Sequence, residues 1–255
     1  RADLTHVMGY RVDSAKYYYV LTAKIMKEHL VDIKGEDYRF TADPLFQFET
    51  GNDFGDRTAY QDTNRYYHNM RGFVLAGDLG SKISFRTIFQ ENQAIMPQYL
   101  FLLASQTGVV SGQGRAKFDQ RRILDYGWSQ GNVSYTPAAW LNVQFGHGKH
   151  FVGHGYRSML LSDHALNAPF LKFSALTTNK RFQYSTWVSK LQSGVKTPDR
   201  LPTGQSSESL FYWMHGRFNH LSVDLGPVQV GLFESTLFQN IDSAGVRPFD
   251  PMELN

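Results

Sequence analysis

From Gly35 onward the chain alternates apolar and polar residues with a period of two. Ile83, Phe85, Thr87 and Phe89 alternate with Ser84, Arg86 and Gln90, and Leu141, Val143 and Phe145 with Asn142 and Gln144. Phe182, Tyr184, Thr186 and Val188 alternate with Gln183, Ser185 and Ser189, while Val228, Val230 and Leu232 face away from Gln229. Successive side chains on a strand point to opposite faces, so this pattern predicts strands with one apolar and one polar side. Turn signals at 77–81, 136–139, 177–180 and Gly226-Pro227 join the strands into four hairpins of about 15–20 residues each. Longer polar segments run between them, at 50–66, 90–117 and 192–208. Short turns at one end and long loops at the other is the asymmetry of bacterial outer-membrane barrels.

The period differs near the start. Over residues 13–31 (DSAKYYYVLTAKIMKEHLV), Tyr17, Val20, Leu21 and Ile25 recur at three-to-four spacing behind a capping Asp13 or Ser14, which predicts a short helix. The expected organisation is therefore a helical segment over 1–35 and a β-barrel portion over 36–255.

Composition narrows the environment. Of 255 residues 15% are aromatic and 19% charged, against a usual charged share of about 25% in soluble domains. An aromatic-rich, charge-poor chain suits strands whose outer face meets something other than water, although a soluble β-sandwich or lectin has the same composition. Basic residues are scattered and the net charge is only +3, so no nucleic-acid footprint is expected. Cysteine is absent, which excludes disulfides and thiolate metal sites. The longest apolar run, Tyr99 to Ala104, is far too short for a spanning helix. If a membrane is crossed, only a closed sheet can do so, because lipid leaves no partner for an unpaired backbone group. Polar faces rich in Ser, Gln, Asn and Arg suit a lumen. Tyr66, Tyr67, Trp128, Trp140, Trp187, Tyr212 and Trp213 lie near strand ends, where interfacial girdles sit.

Candidate chemistry concentrates between Phe145 and Phe170. Gly148-Lys149 is followed by His150 and lacks the upstream glycine of a phosphate-binding loop, and neither Gly146-x-Gly148 nor Gly153-x-Gly155 completes a dinucleotide fingerprint. His147, His150 and His154, with Asp163 and His164, have no helical metal-ligand spacing. Ser158 and Ser162 lie outside any nucleophile elbow, and no pair of carboxylates suggests glycoside hydrolysis. No catalytic residue, metal or cofactor is expected. Glycines at 146, 148, 153 and 155 would let a loop fold tightly against a wall. Lys149, His150, Arg157, Asp163 and Asn167 are the residues expected to fix that loop by pairing, or to bind an anionic or polyhydroxylated ligand. Arg86, Lys172 and Gln183 are expected to face the lumen.

The stretch from Asn142 to Phe173 (NVQFGHGKHFVGHGYRSMLLSDHALNAPFLKF) closely resembles the signature region of the RemB-like family. These are outer-membrane proteins associated with gliding motility and similar to Wzi-type capsule-assembly barrels. Three further pieces fit it: FQENQAIMP at 89–97 with Tyr99, VVSGQGRAK at 109–117, and GNVSYTPAAWLNVQFG at 131–146. Wzi-type proteins carry a similar Gly-rich piece before LS-x-NA-x-PF, which here, at Leu161 to Phe170, holds two extra residues. His154 and His164 stand where an acidic and an Asn-like residue are expected. The resemblance spans roughly residues 65–190. It implies an N-terminal helical portion followed by many antiparallel strands, in a barrel larger than the ten or so strands counted here, with C-terminal strands missing.

The expected protein is thus an all-β, antiparallel up-and-down transmembrane β-barrel with a short N-terminal helix, located in the outer membrane. It would be non-enzymatic and would serve surface polysaccharide attachment, or a gliding or secretion apparatus. Its partners would be outer-membrane lipid, surface polysaccharide and other envelope proteins, with no nucleic acid. A passive porin-like channel and a soluble carbohydrate-binding β-protein are the alternatives.

Overall fold

A computed structural model describes residues 29–60, 64–118, 122–196, 211–239, 241–242 and 245–246. Residues 13–28 of the expected helix, and 197–208 of the third long segment, lie outside the described residues. The strands are β1 (Val31–Lys34), β2 (Tyr38–Gly51), β3 (Tyr66–Leu79), β4 (Ile83–Ile95), β5 (Val109–Val110), β6 (Gly114–Phe118), β7 (Leu124–Ala138), β8 (Leu141–Gly148), β9 (Ala168–Leu176), β10 (Phe182–Lys196), β11 (Phe211–Asp224) and β12 (Gln229–Gln239). They form one 12-stranded sheet in the order β1-β2-β3-β4-β7-β8-β9-β10-β11-β12, with β5 joined to β6 and β6 to β7. Every pairing is antiparallel. A separate two-stranded ribbon pairs β13 (Ile241–Asp242) with β14 (Gly245–Val246). Among the described residues β1 and β12 are not paired with each other, so the sheet is open there.

Connections are sorted by end. Those between β1 and β2, β3 and β4, β7 and β8, β9 and β10, and β11 and β12 are short and lie at one end. Those over 52–65, 96–123 and 149–167 are long and, in their described parts, lie at the other. The turns carry the expected chemistry. Gly80 (φ 58°), Lys180 (φ 58°) and Gly226 (φ 91°) take the left-handed backbone. Asn179 Oδ1 accepts the Arg181 amide at 3.1 Å, and Asp224 Oδ1 the Gly226 amide at 2.8 Å, as Asn and Asp do in tight turns.

The N-terminal boundary needs correction. Val31–Lys34, placed by sequence at the end of a helical segment, is a strand paired with β2. Its period is two, with exposed Val31 and Ile33 on one side and Asp32 on the other, where Asp32 receives Arg39 Nε and Nη2 at 3.1 Å each. A second correction falls inside 90–117, read as a polar loop. There α1 (Gln98–Thr107) starts after Pro97 and ends on Gly108, whose left-handed backbone (φ 73°) directs its amide to the Ala104 carbonyl at 2.7 Å. With ten residues it is too short to cross a membrane, and no described helix is long and apolar enough to do so.

The two faces of the sheet differ. One, the covered face, carries Ser84, Arg86, Asn132, Ser134, Asn142, Gln144, Lys172, Ser174, Gln183, Ser185 and Ser222 at the short-turn end. Its polar groups bond across strands, with Asn142 Nδ2 to Ser134 Oγ at 2.8 Å, Ser174 Oγ to Ser185 Oγ at 2.9 Å and Gln229 Nε2 to Ser222 Oγ at 2.8 Å. Toward the long-loop end this face is buried in two places. Ala94, Leu124 and Tyr126 pack with Ala104 of α1 and with Val110. Trp187 and Phe218 pack with Val152 from the segment between β8 and β9.

The other, open face is apolar and uncovered. Phe73, Phe89, Val133, Phe145, Phe173 and Leu232 on it are 37–66% exposed. Its polar edge is not level with the hydrogen-bond ladder. On β12 and β11 the edge falls at the paired residues Glu234 and Asn219, on β10 at Lys190, on β8 at His147, on β4 and β3 at the pair Glu91 and Arg71, and on β2 at Thr50. A line perpendicular to the strands from Glu234 passes Asn219, Thr186, Phe173, Val143, Tyr135, Ile83 and Leu79 and arrives at Tyr38, twelve positions short of Thr50. Phe46 and Phe48, 80% and 71% exposed, occupy the difference.

Candidate functional site

The glycine-rich segment 149–167 is folded back against the covered face. Val152 N donates to the Leu161 carbonyl at 2.9 Å, pinching the segment into a small loop. Ser158 Oγ, inside it, donates to the Val152 carbonyl and accepts the Leu160 amide at 3.0 Å. Gly153 makes the reversal possible. Its φ is 143°, and a Cβ there would lie 2.4 Å from Ser158 Oγ, which no side chain tolerates at that backbone angle.

Side chains then tie the segment to its surroundings. Lys149 Nζ donates to the Gly112 carbonyl, and Ser111 Oγ meets His164 Nε2 at 2.6 Å. The β5–β6 turn and the β8–β9 segment, two of the stretches that carry the family resemblance, therefore clasp each other. Asn167 Nδ2 and His147 Nδ1 (at 3.2 Å) both point to the Ser129 carbonyl. Ser129 lies beyond the last β7–β8 pair, Gly131 with His147. Side chains thus supply donors to a carbonyl where the β7–β8 ladder stops. His147 meets an acceptor there, which fixes its proton on Nδ1.

His150 packs against two aromatic rings of the covered face. Its ring lies edge-on to Phe170 at 4.4 Å and 5.0 Å from the Trp187 ring centroid. Burial, reinforced by the charge of Lys172, pushes its pKa down to about 4, so the ring is neutral at ordinary pH. Burial also lowers Lys149, against the pull of the Asp163 carboxylate.

Beneath the segment lies a cavity of about 330 Å³ lined from β9 by Lys172, from β10 by Gln183, Ser185 and Trp187, from β11 by His220 and Ser222, and from β12 by Gln229 and Gly231, with 149–154 as its roof. Lys172 Nζ stands 5.3 Å from the Trp187 ring centroid, within cation–π range. Trp187 Nε1 and His150 Nε2 are buried without a hydrogen-bond partner among the described residues. A second cleft, of about 760 Å³, opens where β8 ends beside the longer β7. It is lined by residues of both signs, among them Glu91, Asp125, Arg115, Lys117 and Lys190.

Sequence reasoning named five residues of the segment and three of the strands. The structure brings Lys149 and His150 together with Lys172 and Gln183 around the cavity. Asn167 fixes the end of the segment away from it. Arg157 and Asp163, expected to pair, are both exposed, and among the described residues neither forms an ion pair; Arg157 lies over Tyr156, 5.8 Å from the ring centroid. Arg86 shares the covered face, three strands from Lys172. Trp128 and Trp187, read as girdle residues, lie on the covered face, since each shares parity with its polar neighbours Gln130 and Ser185. Ser111, Ser158 and His164 were missed as anchors. Among the described residues no three His, Cys, Asp or Glu side chains converge on a metal site. No family model, curated protein or solved structure matches the chain.

Proposed function

We propose that this chain builds an outer-membrane β-barrel of the RemB- and Wzi-like kind, in which the β8–β9 segment lines the lumen and takes part in holding surface polysaccharide or anchoring an envelope apparatus. The observation that carries this reading is the polarity of the sheet. In water a sheet hides its apolar face and wets its polar one. Here the face with the polar rows is the one covered in part, over Leu124 and Tyr126 and over Trp187 and Phe218, while Phe145, Val133 and Leu232 stand uncovered on the other.

The sloping edge of the apolar face adds a geometric argument. It climbs from Glu234 to Thr50 by about one and a half residues per strand. With about 3.3 Å per residue and 4.8 Å between strands, that slope corresponds to strands tilted by about 45° from the normal of a level apolar belt. Closed membrane barrels tilt their strands by about 35–45°. A soluble sandwich has no reason to keep its polarity boundary on such a line.

The filling of the covered face favours an occluded lumen over a passive channel. The segment 149–167 and α1 both pack on the covered face, the side that would enclose the pore once such a sheet closed. That filling supports a binding role over conduction.

The test is fractionation of native envelopes with the full-length protein. Resistance to carbonate extraction, sedimentation with the outer membrane and a migration shift on boiling are the expected results. Release as a soluble protein would overturn the reading.

A further inference from the structure

The cavity under the β8–β9 segment has an unbalanced inventory of charge. Its lining includes Lys149 and Lys172 and three histidines, His150 and His154 on the segment and His220 on β11, yet no aspartate or glutamate. Lys172 forms no ion pair among the described residues. Its neighbours across the ladder are Gln144 and Trp187, neither of which carries charge. A half-buried ammonium without a carboxylate is costly unless something anionic joins it. The cavity wall also holds a buried donor without a partner among the described residues. Trp187 is 2% exposed, and its indole N–H can only donate and has no described partner. Gln183, His220 and Ser222 add groups that can turn a donor toward the same space.

We propose that this cavity binds an oxyanion, a carboxylate or phosphate group carried on a larger ligand, between the Lys172 ammonium and the Trp187 indole N–H. Lys172 supplies the charge, Trp187 a fixed donor, and Gln183 and His220 the flanking hydrogen bonds. The apolar ring of Trp187, stacked on Phe218 at 5.2 Å, holds the donor rigid and keeps water from that side. The proposal rests on the reading of the segment as a glycan-handling element and narrows it to acidic glycans, those bearing uronic acid or phosphate groups.

The experiment uses the full chain folded in detergent micelles, titrated calorimetrically with glucuronate, inorganic phosphate and glucose. Saturable binding of glucuronate or phosphate, with none of glucose at equal concentration, is expected, and whichever oxyanion binds more tightly identifies the source. Lys172→Met should weaken that binding by about tenfold and Lys172→Arg should retain it, since the lost interaction is charge-assisted. Trp187→Phe, which keeps the ring and removes only the N–H, should weaken it several-fold and serves as the second variant if Lys172→Met does not fold. Equal binding of glucose, or undiminished oxyanion binding by a folded Lys172→Met protein, would overturn the proposal. Binding of a neutral glycan polymer without oxyanion binding would leave the glycan reading standing and remove this one. Failure of the barrel reading would instead show in the carbonate extraction.

Discussion

Arg71 and Glu91 face each other across the β3–β4 pair, Nε to Oε2 at 3.5 Å, two residues above the stacked rings of Phe73 and Phe89 at 5.7 Å. That step from an aromatic pair to an ion pair marks the edge of the apolar face on these strands. The ion pair is more than half exposed on both sides, so its own stabilisation is small, at most about 1 kcal/mol. Its weight is positional: it marks how far up these strands the apolar face extends.

A charge placed below that edge tests what the open face meets. Phe145 is 66% exposed, and in water Phe145→Arg would shift stability by about 0.5 kcal/mol or less. In a bilayer the same change should cost about 2–4 kcal/mol near the midplane. Folding free energies measured in lipid vesicles and in detergent decide between these values. An effect under about 1 kcal/mol in vesicles would contradict a lipid-facing Phe145.

Strand faces were legible in the sequence because side-chain direction in a strand is a local property. The alternations at Ile83–Phe89 and Phe182–Ser189 name the open and covered faces without knowledge of any partner strand. The same parity, applied to Trp187 beside Ser185, would have removed it from the girdle. The stop and start signals of α1, Pro97 and Gly108, were also present, hidden in a segment assigned to loop by its length. The cavity could not be read. Its walls come from β9, β10, β11 and β12, and which of their covered-face residues meet depends on the registers Lys172 with Trp187 and Ser185 with His220. Nor could pairing of Arg157 with Asp163 be judged, because the pinch between Val152 and Leu161 decides where each side chain ends.

The core under α1 is a separate unit of stability. Leu124 is fully buried against Ala94, Ala104, Val110 and Tyr126. Leu124→Ala leaves a cavity there and should cost about 2–5 kcal/mol. Denaturant unfolding in detergent measures it, and a loss below about 1 kcal/mol would show that the cluster relaxes to fill the space.

The pinch in the β8–β9 segment depends on one backbone angle. Gly153→Ala adds a methyl group against Ser158 Oγ at a positive φ and should release the loop by about 1–3 kcal/mol. Ser158→Ala removes the hydroxyl that bridges Val152 and Leu160 and should act in the same direction by about 1 kcal/mol. Hydrogen exchange across 149–167 is the readout. Faster exchange confined to this segment, with the strands unchanged, is the expected pattern, and unchanged exchange in both variants would mean that the outer ties of Lys149 and His164 suffice alone.

Acid should loosen the same segment through His150, whose ring packs against Phe170 and Trp187. Docked, the ring resists protonation until about pH 4 because burial and the Lys172 charge disfavour the imidazolium. Released, it regains an ordinary pKa of about 6.5. Between those values the released form binds a proton that the docked form does not, so docking is full above about pH 6.5 and weakens as the pH falls toward 4. The loss should be on the order of 3 kcal/mol across that window, about 2 of it by pH 5. Limited proteolysis between pH 7 and pH 5 reads it as increased cleavage within 149–167. His150→Phe keeps an aromatic ring against Phe170 and carries no proton, so its cleavage should be flat over the same range. Acid-dependent cleavage surviving in His150→Phe would assign the sensitivity to another group.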